Sequence, residues 1–219
     1  MNSESGSITL LIATRNTHKV GEIRAVLGGR FRYLTLAALP GAPSVIEDAD
    51  TFAGNAAKKA GELMRWLLAT DPLPEEQRVF VLADDSGLEV DALGGAPGVH
   101  SARFAALDSG RPGNSTDADN NARLLRLLKD VPLQRRTARF RCVLALVRGK
   151  DARAELFDGV CEGRLEFAPR GGGGFGYDPL FVPDGFRETF AELGEAEKNK
   201  ISHRARALAK LKEALHGPR

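Results

Sequence analysis

The segment 79-VFVLADDSGLEV-90 runs a buried apolar stretch straight into two adjacent carboxylates, Asp84 and Asp85. Side chains alternate faces along a strand, so if the two aspartates continue it they point to opposite sides. Only one of them need then face a site. The other reading is a turn after Ala83, because Asp, Ser and Gly are turn formers. The expected element is a strand over Val79–Ala83, then ADDSG, then the short 88-LEV-90.

Working outward, 7-SITLLIA-13 reads as a buried first strand, followed by the polar loop 14-TRNTHK-19. Val20, Ile23 and Leu27 then recur at helical spacing, and Gly28-Gly29 ends that helix. Residues 31-FRYLTL-36 alternate as a second strand, and 39-LPGAPSVIEDAD-50 reads as a loop. A second helix begins near Thr51, with Phe52, Ala56, Ala60, Leu63 and Leu67 on one stripe. It stops before Pro72, and 71-DPLPEEQ-77 is an exposed connection.

Downstream, 91-DALGGAPGVHSARF-104 is too rich in Gly and Pro for a long regular element. The segment 108-DSGRPGNSTD-117 reads as a mobile polar loop, and a third helix runs through Ala122–Lys129. Residues 136–149 and 152–163 read as two long strands joined by a GKD turn. The C-terminal helix starts near Ser202, carries Ala205, Leu208, Leu211 and Leu215 on one face, and ends at Gly217-Pro218. Mixed strands and helices with a long hairpin imply an α/β sheet that is not purely parallel.

Composition excludes several classes. The 219 residues are 42% hydrophobic and 27% charged, an ordinary globular balance that suits one large domain or one domain with two lobes. The net charge of +2 argues against a nucleic-acid binder, which shows a basic excess or run. No apolar run approaches the ~18 residues that span a bilayer. The N-terminus MNSESGS has neither a basic nor an apolar leader region. Cys142 and Cys161 form no C-x-x-C pair and fit reduced thiols. A cytoplasmic protein with no membrane and no nucleic-acid partner is expected.

Four stretches can carry chemistry. The loop 14-TRNTHK-19 joins a strand end to a helix start, where free N–H groups and a partial positive charge favour anions. Thr14, Asn16 and Lys19 add polar and charged groups; a plain N-cap with a solvated lysine is the alternative. In 198-KNKISHRARAL-208, Ser202 is a good N-cap and puts His203 and Arg204 in the first turn, against the helix dipole. A docked anion would offset that cost; a solvated basic patch is the alternative. In 171-GGGGFGYDP-179 five of six consecutive residues are glycine, and Phe175 and Tyr177 offer flat surfaces for a planar ring. A flexible linker is the competing reading. Last, Glu47, Asp84 and Asp85 are oxygen ligands of the kind Mg²⁺ takes, and a carboxylate beside a metal can deprotonate water. Together these features suggest hydrolysis of a nucleoside triphosphate.

These stretches, with 83-ADDSGLEVDALGGAPGVHSARF-104, 173-GGFGYDPLF-181 and the spacer 47-EDADTFAGNAAKKA-60, resemble the inosine triphosphate pyrophosphatase family over roughly residues 8–215. The resemblance implies an elongated mixed β-sheet flanked by helices, with two lobes and a central active-site cleft. It implies a single domain over 1–219, with 1–7 as a flexible extension. It implies Mg²⁺-dependent hydrolysis of ITP, dITP and XTP to the monophosphate and pyrophosphate, by a homodimer that cleanses the nucleotide pool. Residue by residue, Thr14, Arg15, Asn16, Thr17, His18 and Lys19 would hold the triphosphate. Glu47 and Asp85 would bind the metal, and Asp85 would accept the proton of the attacking water. Ser86 would contact substrate. Phe175, Gly176, Tyr177 and Asp178 would line the base pocket, with Lys198, His203 and Arg204 completing the site. Asp84 is left a secondary role, metal-binding or structural. Asp48 and Asp50 compete with Glu47 for the metal position.

Overall fold

All four side chains of β1, Thr9–Ile12, are buried, as the β-branched and leucine-rich run at the N-terminus predicts. The computed structural model describes residues 8–70, 79–110, 113–149 and 153–216. The expected N-terminal extension, the 71–77 connection, the GKD turn after Gly149, part of the 108–117 loop and the Gly217-Pro218 stop lie outside them.

Strand β2, Arg32–Thr35, and strand β3, Val79–Val90, both run parallel to β1, with Leu11 opposite Leu34 on one side and Val81 on the other. Helices α1, Thr17–Leu27, and α2, Phe52–Thr70, make the crossovers. The chain steps outward from β1 to β2, then returns past β1 to β3. Right-handed crossovers in opposite directions put α1 and α2 on opposite faces of these strands. The order reverses between β1 and β3, and open α/β sheets bind ligands at such a reversal, beyond the strand C-termini.

The turn reading of ADDSG is wrong: β3 passes through it without a break and ends at Val90. Strand β1 stops at Ile12, and the Ala13 N–H donates to the Leu82 carbonyl at 2.8 Å. On its other side β3 neighbours β4, Thr137–Val147, in the sheet. Strands β5, Ala154–Leu165, and β6, Phe181–Pro183, complete a six-stranded sheet in the order β2-β1-β3-β4-β5-β6. Strands β5 and β6 are antiparallel, so the sheet is mixed as expected.

The remaining helices are α3, Ala106–Ser109, α4, Asp117–Leu127, α5, Phe190–Ile201, and α6, His203–His216. Helix α3 and the start of α4 take up part of the stretch read as polar loop. Thr116 caps α4, its hydroxyl oxygen accepting from the Asp119 N–H at 3.1 Å. Helix α5 carries a capping box, Thr189 with Glu192, and breaks at Gly194, where φ is 77°. That interruption and a mostly polar surface hide α5 from a periodicity reading. Among the described residues, no helix is long and apolar enough to cross a membrane.

The chain divides into two compact units. Unit one takes Met1–Asp85, Val143–Asp158 and Ala207–Arg219; unit two takes Ser86–Cys142 and Gly159–Arg206. Unit one includes buried Leu10, Ile12, Ile23, Leu63, Val81 and Leu82. Unit two is built on a core that includes Leu88, Phe104, Leu124, Phe140, Tyr177 and Phe181. Cys142 and Cys161 are both buried and form no disulfide, in keeping with reduced thiols.

Candidate active site

In unit one, the loop after β1 is tied down by its own polar side chains. The Thr14 hydroxyl oxygen accepts from the Asn16 N–H, and the Asn16 Oδ1 accepts from the Lys19 N–H, each at 3.1 Å. Asn16 is therefore the N-cap of α1, with extended backbone at ψ 110°. Arg15, Asn16, Thr17 and His18 stay exposed. The loop thus turns polar groups outward at a helix N-terminus, the arrangement that favours an anion. Lys19 departs from the solvated-lysine alternative: its side chain is 16% exposed and its Nζ pairs with Asp84 Oδ1.

Strand alternation separates the two aspartates as the sequence argument requires. Asp84 turns to Lys19 of α1, and Asp85 turns to α2. There, Asn55 Nδ2 donates to Asp85 Oδ2 at 3.1 Å, and Asn55 Oδ1 in turn accepts from the Ala49 N–H at 2.9 Å. Lys59 is the hub. Its Nζ donates to the Asp84 carbonyl at 2.8 Å and lies 3.1 Å from Glu47 Oε2 and 3.6 Å from Asp85 Oδ1. Glu47, not Asp48, reaches this point: Asp48 pairs outward with Lys58 at 2.6 Å. Burial pushes the Asp85 carboxyl up to about 6, against the pull of Lys59 and Lys19; the like charge of Glu47 adds to the rise and the Asn55 bond opposes it.

Sequence reasoning missed Asn55 and Lys59. The signal was present, because both fall on the apolar stripe of α2 beside Phe52, Ala56 and Ala60, and both are buried. A polar side chain on a buried helix face has to be satisfied by something.

A pocket of about 670 Å³ opens beside the same loop, lined by Thr14, Arg15, Thr17, Arg24 and Thr35 among others. Neither Asp84 nor Asp85 lines it. The carboxylates and ammonium groups meet instead on the β3 side.

In unit two, α6 starts where predicted. Ser202 Oγ accepts from the Ala205 N–H at 3.2 Å, so His203 and Arg204 are first-turn residues. They are not a solvated patch: Lys198, His203 and Arg204 are only 3%, 4% and 1% exposed. Arg204 donates to the Ser86 hydroxyl at 2.8 Å, and the His203 ring stacks on Phe140 with centroids 4.8 Å apart. Lys198 Nζ lies 2.5 Å from Asp178 Oδ2 and 4.3 Å from the centre of the Phe175 ring. The Arg204 guanidinium lies 5.9 Å from the same ring. Two buried cations therefore lie within about 6 Å of the Phe175 ring centre.

The glycine run is not a linker. Asp178 Oδ2 also accepts from the Phe175 N–H at 2.9 Å. Asp117 of α4 accepts from the Gly176 N–H at 2.6 Å, and Asn121 donates to the Gly176 carbonyl at 2.9 Å. Gly174 has φ +73°, and its missing Cβ would stand where the Asp178 carboxylate sits. Tyr177 corrects the expectation of two flat surfaces. It is 4% exposed, and its hydroxyl donates to the Ser101 carbonyl at 2.8 Å. Its ring belongs to the core, which leaves Phe175 as the half-buried aromatic.

Comparison with known proteins bears on this arrangement. The sequence pattern of the Ham1 family matches residues 10–214. A dITP/XTP pyrophosphatase of Shouchella clausii is 45% identical over 210 residues, covering 95% of this chain and 96% of that protein. Another, from Opitutus terrae, is 47% identical over 212 residues, covering 93% and 97%. Among solved structures, a HAM1 protein from Coxiella burnetii superposes with a TM-score of 0.79 at 34% identity, covering 95% of this chain and 98% of that one. A nucleoside-triphosphatase / dITP/XTP pyrophosphatase from Mycobacterium abscessus gives 0.69 at 40% identity, covering 93% and 98%.

Proposed function

The chain belongs to the Ham1 family, and on that premise we propose that it hydrolyses deaminated purine nucleoside triphosphates, namely ITP, dITP and XTP. The products are the nucleoside monophosphate and pyrophosphate. The observation that carries the reading is the convergence of Glu47 and Asp85 on one cationic point, the Lys59 ammonium, beside the β1–β3 reversal. Two carboxylates turned toward a shared positive centre fit Mg²⁺, which takes one or two protein carboxylates and completes its shell with water and substrate phosphates. Glu47 and Asp85 would hold the ion, which when bound neutralises phosphate charge and acidifies water.

The other roles belong to the protein. Thr14 to Lys19 hold the triphosphate through loop N–H groups, hydroxyls and the Lys19 charge. Asp85 accepts the proton as water attacks the α-phosphorus and the bond to the bridging oxygen breaks, releasing pyrophosphate. In the metal-free protein burial raises the Asp85 carboxyl, the direction that strengthens it as a proton acceptor. Phe175 stacks on the base and Ser86 contacts substrate. Gly176 and Tyr177 shape the pocket through their backbone, and Asp178 holds Lys198. The cationic Lys198 and Arg204, with His203, favour the 6-oxo acceptor of hypoxanthine and xanthine over the 6-amino donor of adenine. A mismatched donor leaves buried polar groups unpaired, which is a strong discriminator. We also propose a cytoplasmic homodimer without a nucleic-acid partner; the net charge of +2 supports the last point.

The test is turnover of ITP, XTP, GTP and ATP with and without Mg²⁺, resolving pyrophosphate from orthophosphate. Pyrophosphate from ITP and XTP, only with metal, is the expected result. Orthophosphate would mean that a different bond breaks, and nucleotide binding with no product would make the protein a sensor.

A further inference from the structure

Asp84 is as buried as any charged residue in unit one, at 1% exposure, and the reaction above does not use it. Strand alternation turns its carboxylate to Lys19 of α1, whereas the Asp85 carboxylate turns to Asn55 of α2. Its Oδ1 holds the Lys19 ammonium at the end of the phosphate loop, and its main-chain carbonyl holds the Lys59 ammonium at 2.8 Å. The partners come from different helices, α1 and α2, and Asp84 lies 65 residues from Lys19 along the chain. Lys19 is thus fixed at both ends, its N–H by the Asn16 side chain and its Nζ by Asp84.

We infer that Asp84 is a positioning residue, whose carboxylate orders the Lys19 side chain for the triphosphate. A lysine side chain loses much rotamer freedom when it is ordered. If Asp84 orders it in the free protein, that loss does not recur when substrate binds, and affinity rises. A buried ion pair contributes little net stability, because desolvation offsets the attraction. Its value here is the placement of a cation at a loop that binds an anion. The role rests on the proposed reaction, since the ordered group acts on its substrate.

The experiment is a double-mutant cycle on ITP turnover with Asp84→Asn, Lys19→Gln and the pair. Asn keeps the shape and the main-chain carbonyl but removes the charge. If Asp84 acts through Lys19, Asp84→Asn lowers kcat/KM by roughly 30-fold, the value of a charged hydrogen bond, with most of the change in KM. Lys19→Gln lowers it at least as far, and the double variant falls within about threefold of Lys19→Gln alone. Multiplying losses, or a loss in kcat with KM unchanged, overturn the role. Should Asp84→Asn not fold, Asp84→Glu keeps the charge but shifts it by one methylene; it raises KM at near-constant kcat, and an unchanged KM overturns the role. In the metal-free protein, Asp84→Asn costs less Tm in the Lys19→Gln background than alone, because that background already strands the buried carboxylate. Equal costs count against the pairing. A wild type that releases no pyrophosphate overturns the reaction and this role together, whereas an active wild type with independent variants overturns this role alone.

Discussion

At the scale of single residues, burial holds the Asp85 carboxyl above its ordinary titration range. Asp85 is raised to about 6, first by burial and then by Glu47, with Lys59, Lys19 and Asn55 opposing. The unfolded value is near 3.9. The folded protein therefore binds the extra proton between roughly pH 4 and 6, and stability falls as pH rises through that window. The penalty is fully present above pH 6 and absent below about 4. In metal-free protein at pH 7.5, Asp85→Asn is expected to raise stability by about 1–2 kcal/mol, or roughly 2–8 °C in Tm, while abolishing turnover. The Tm difference should shrink toward zero by about pH 4. Calorimetry in chelator across that range checks it, and equal melting points at pH 7.5 would mean Asp85 carries no such penalty. Burial of Asp85 is not legible in a linear reading, although Asn55 and Lys59, polar on an apolar helix stripe, marked where α2 needed a buried partner.

At the scale of elements, the informative cases are those where local chemistry and tertiary context pull apart. Helix α6 obeys its sequence: Ser202 caps it and its apolar face is buried at Ala205, Ala207, Leu208 and Leu211. Strand β3 does not. Turn-forming residues lie in its middle, yet ADDSG stays extended inside a strand that has a neighbour on each side in the sheet. The glycine loop is a third case. Gly174 takes a positive φ, and the Asp178 carboxylate occupies the volume a side chain would need. Gly174→Ala should displace that carboxylate, release Lys198 from its 2.5 Å pairing and raise KM for ITP at least ~10-fold. It should also cost about 1–3 kcal/mol of stability, the usual range for strained backbone. Gly172, where an added Cβ meets nothing, is the matched control and should behave as wild type when mutated to Ala. Denaturant titration and ITP kinetics on the two variants separate a positioned loop from a loose one.

At the scale of the whole molecule, anything that binds the folded chain and not the unfolded one stabilises it by mass action. Mg²⁺ with a non-hydrolysable ITP analogue at ~100 times its Kd should add about 2.7 kcal/mol, or roughly 5–11 °C in Tm. Mg²⁺ removal by chelator should erase most of that gain, and an analogue shift that ignores metal would count against Glu47 and Asp85 as ligands. Sequence alone determined the elements whose signals are local: the buried β1, the apolar stripe of α2, the long strands β4 and β5, and the Ser202 cap. These depend on neighbours two to four residues apart, which a linear reading contains. It also determined the residue types a polyanion site needs, at strand ends and helix starts. The partners were decided only in three dimensions. Lys19 meets Asp84 across 65 residues, and Arg204 meets Ser86 across 118. Those pairings follow from the reversal of strand order between β1 and β3 and, in unit two, from the packing of α6. Spacing along the chain cannot encode which distant charges share one buried volume, because that depends on how strands are ordered in the sheet and on which face each crossover helix lies.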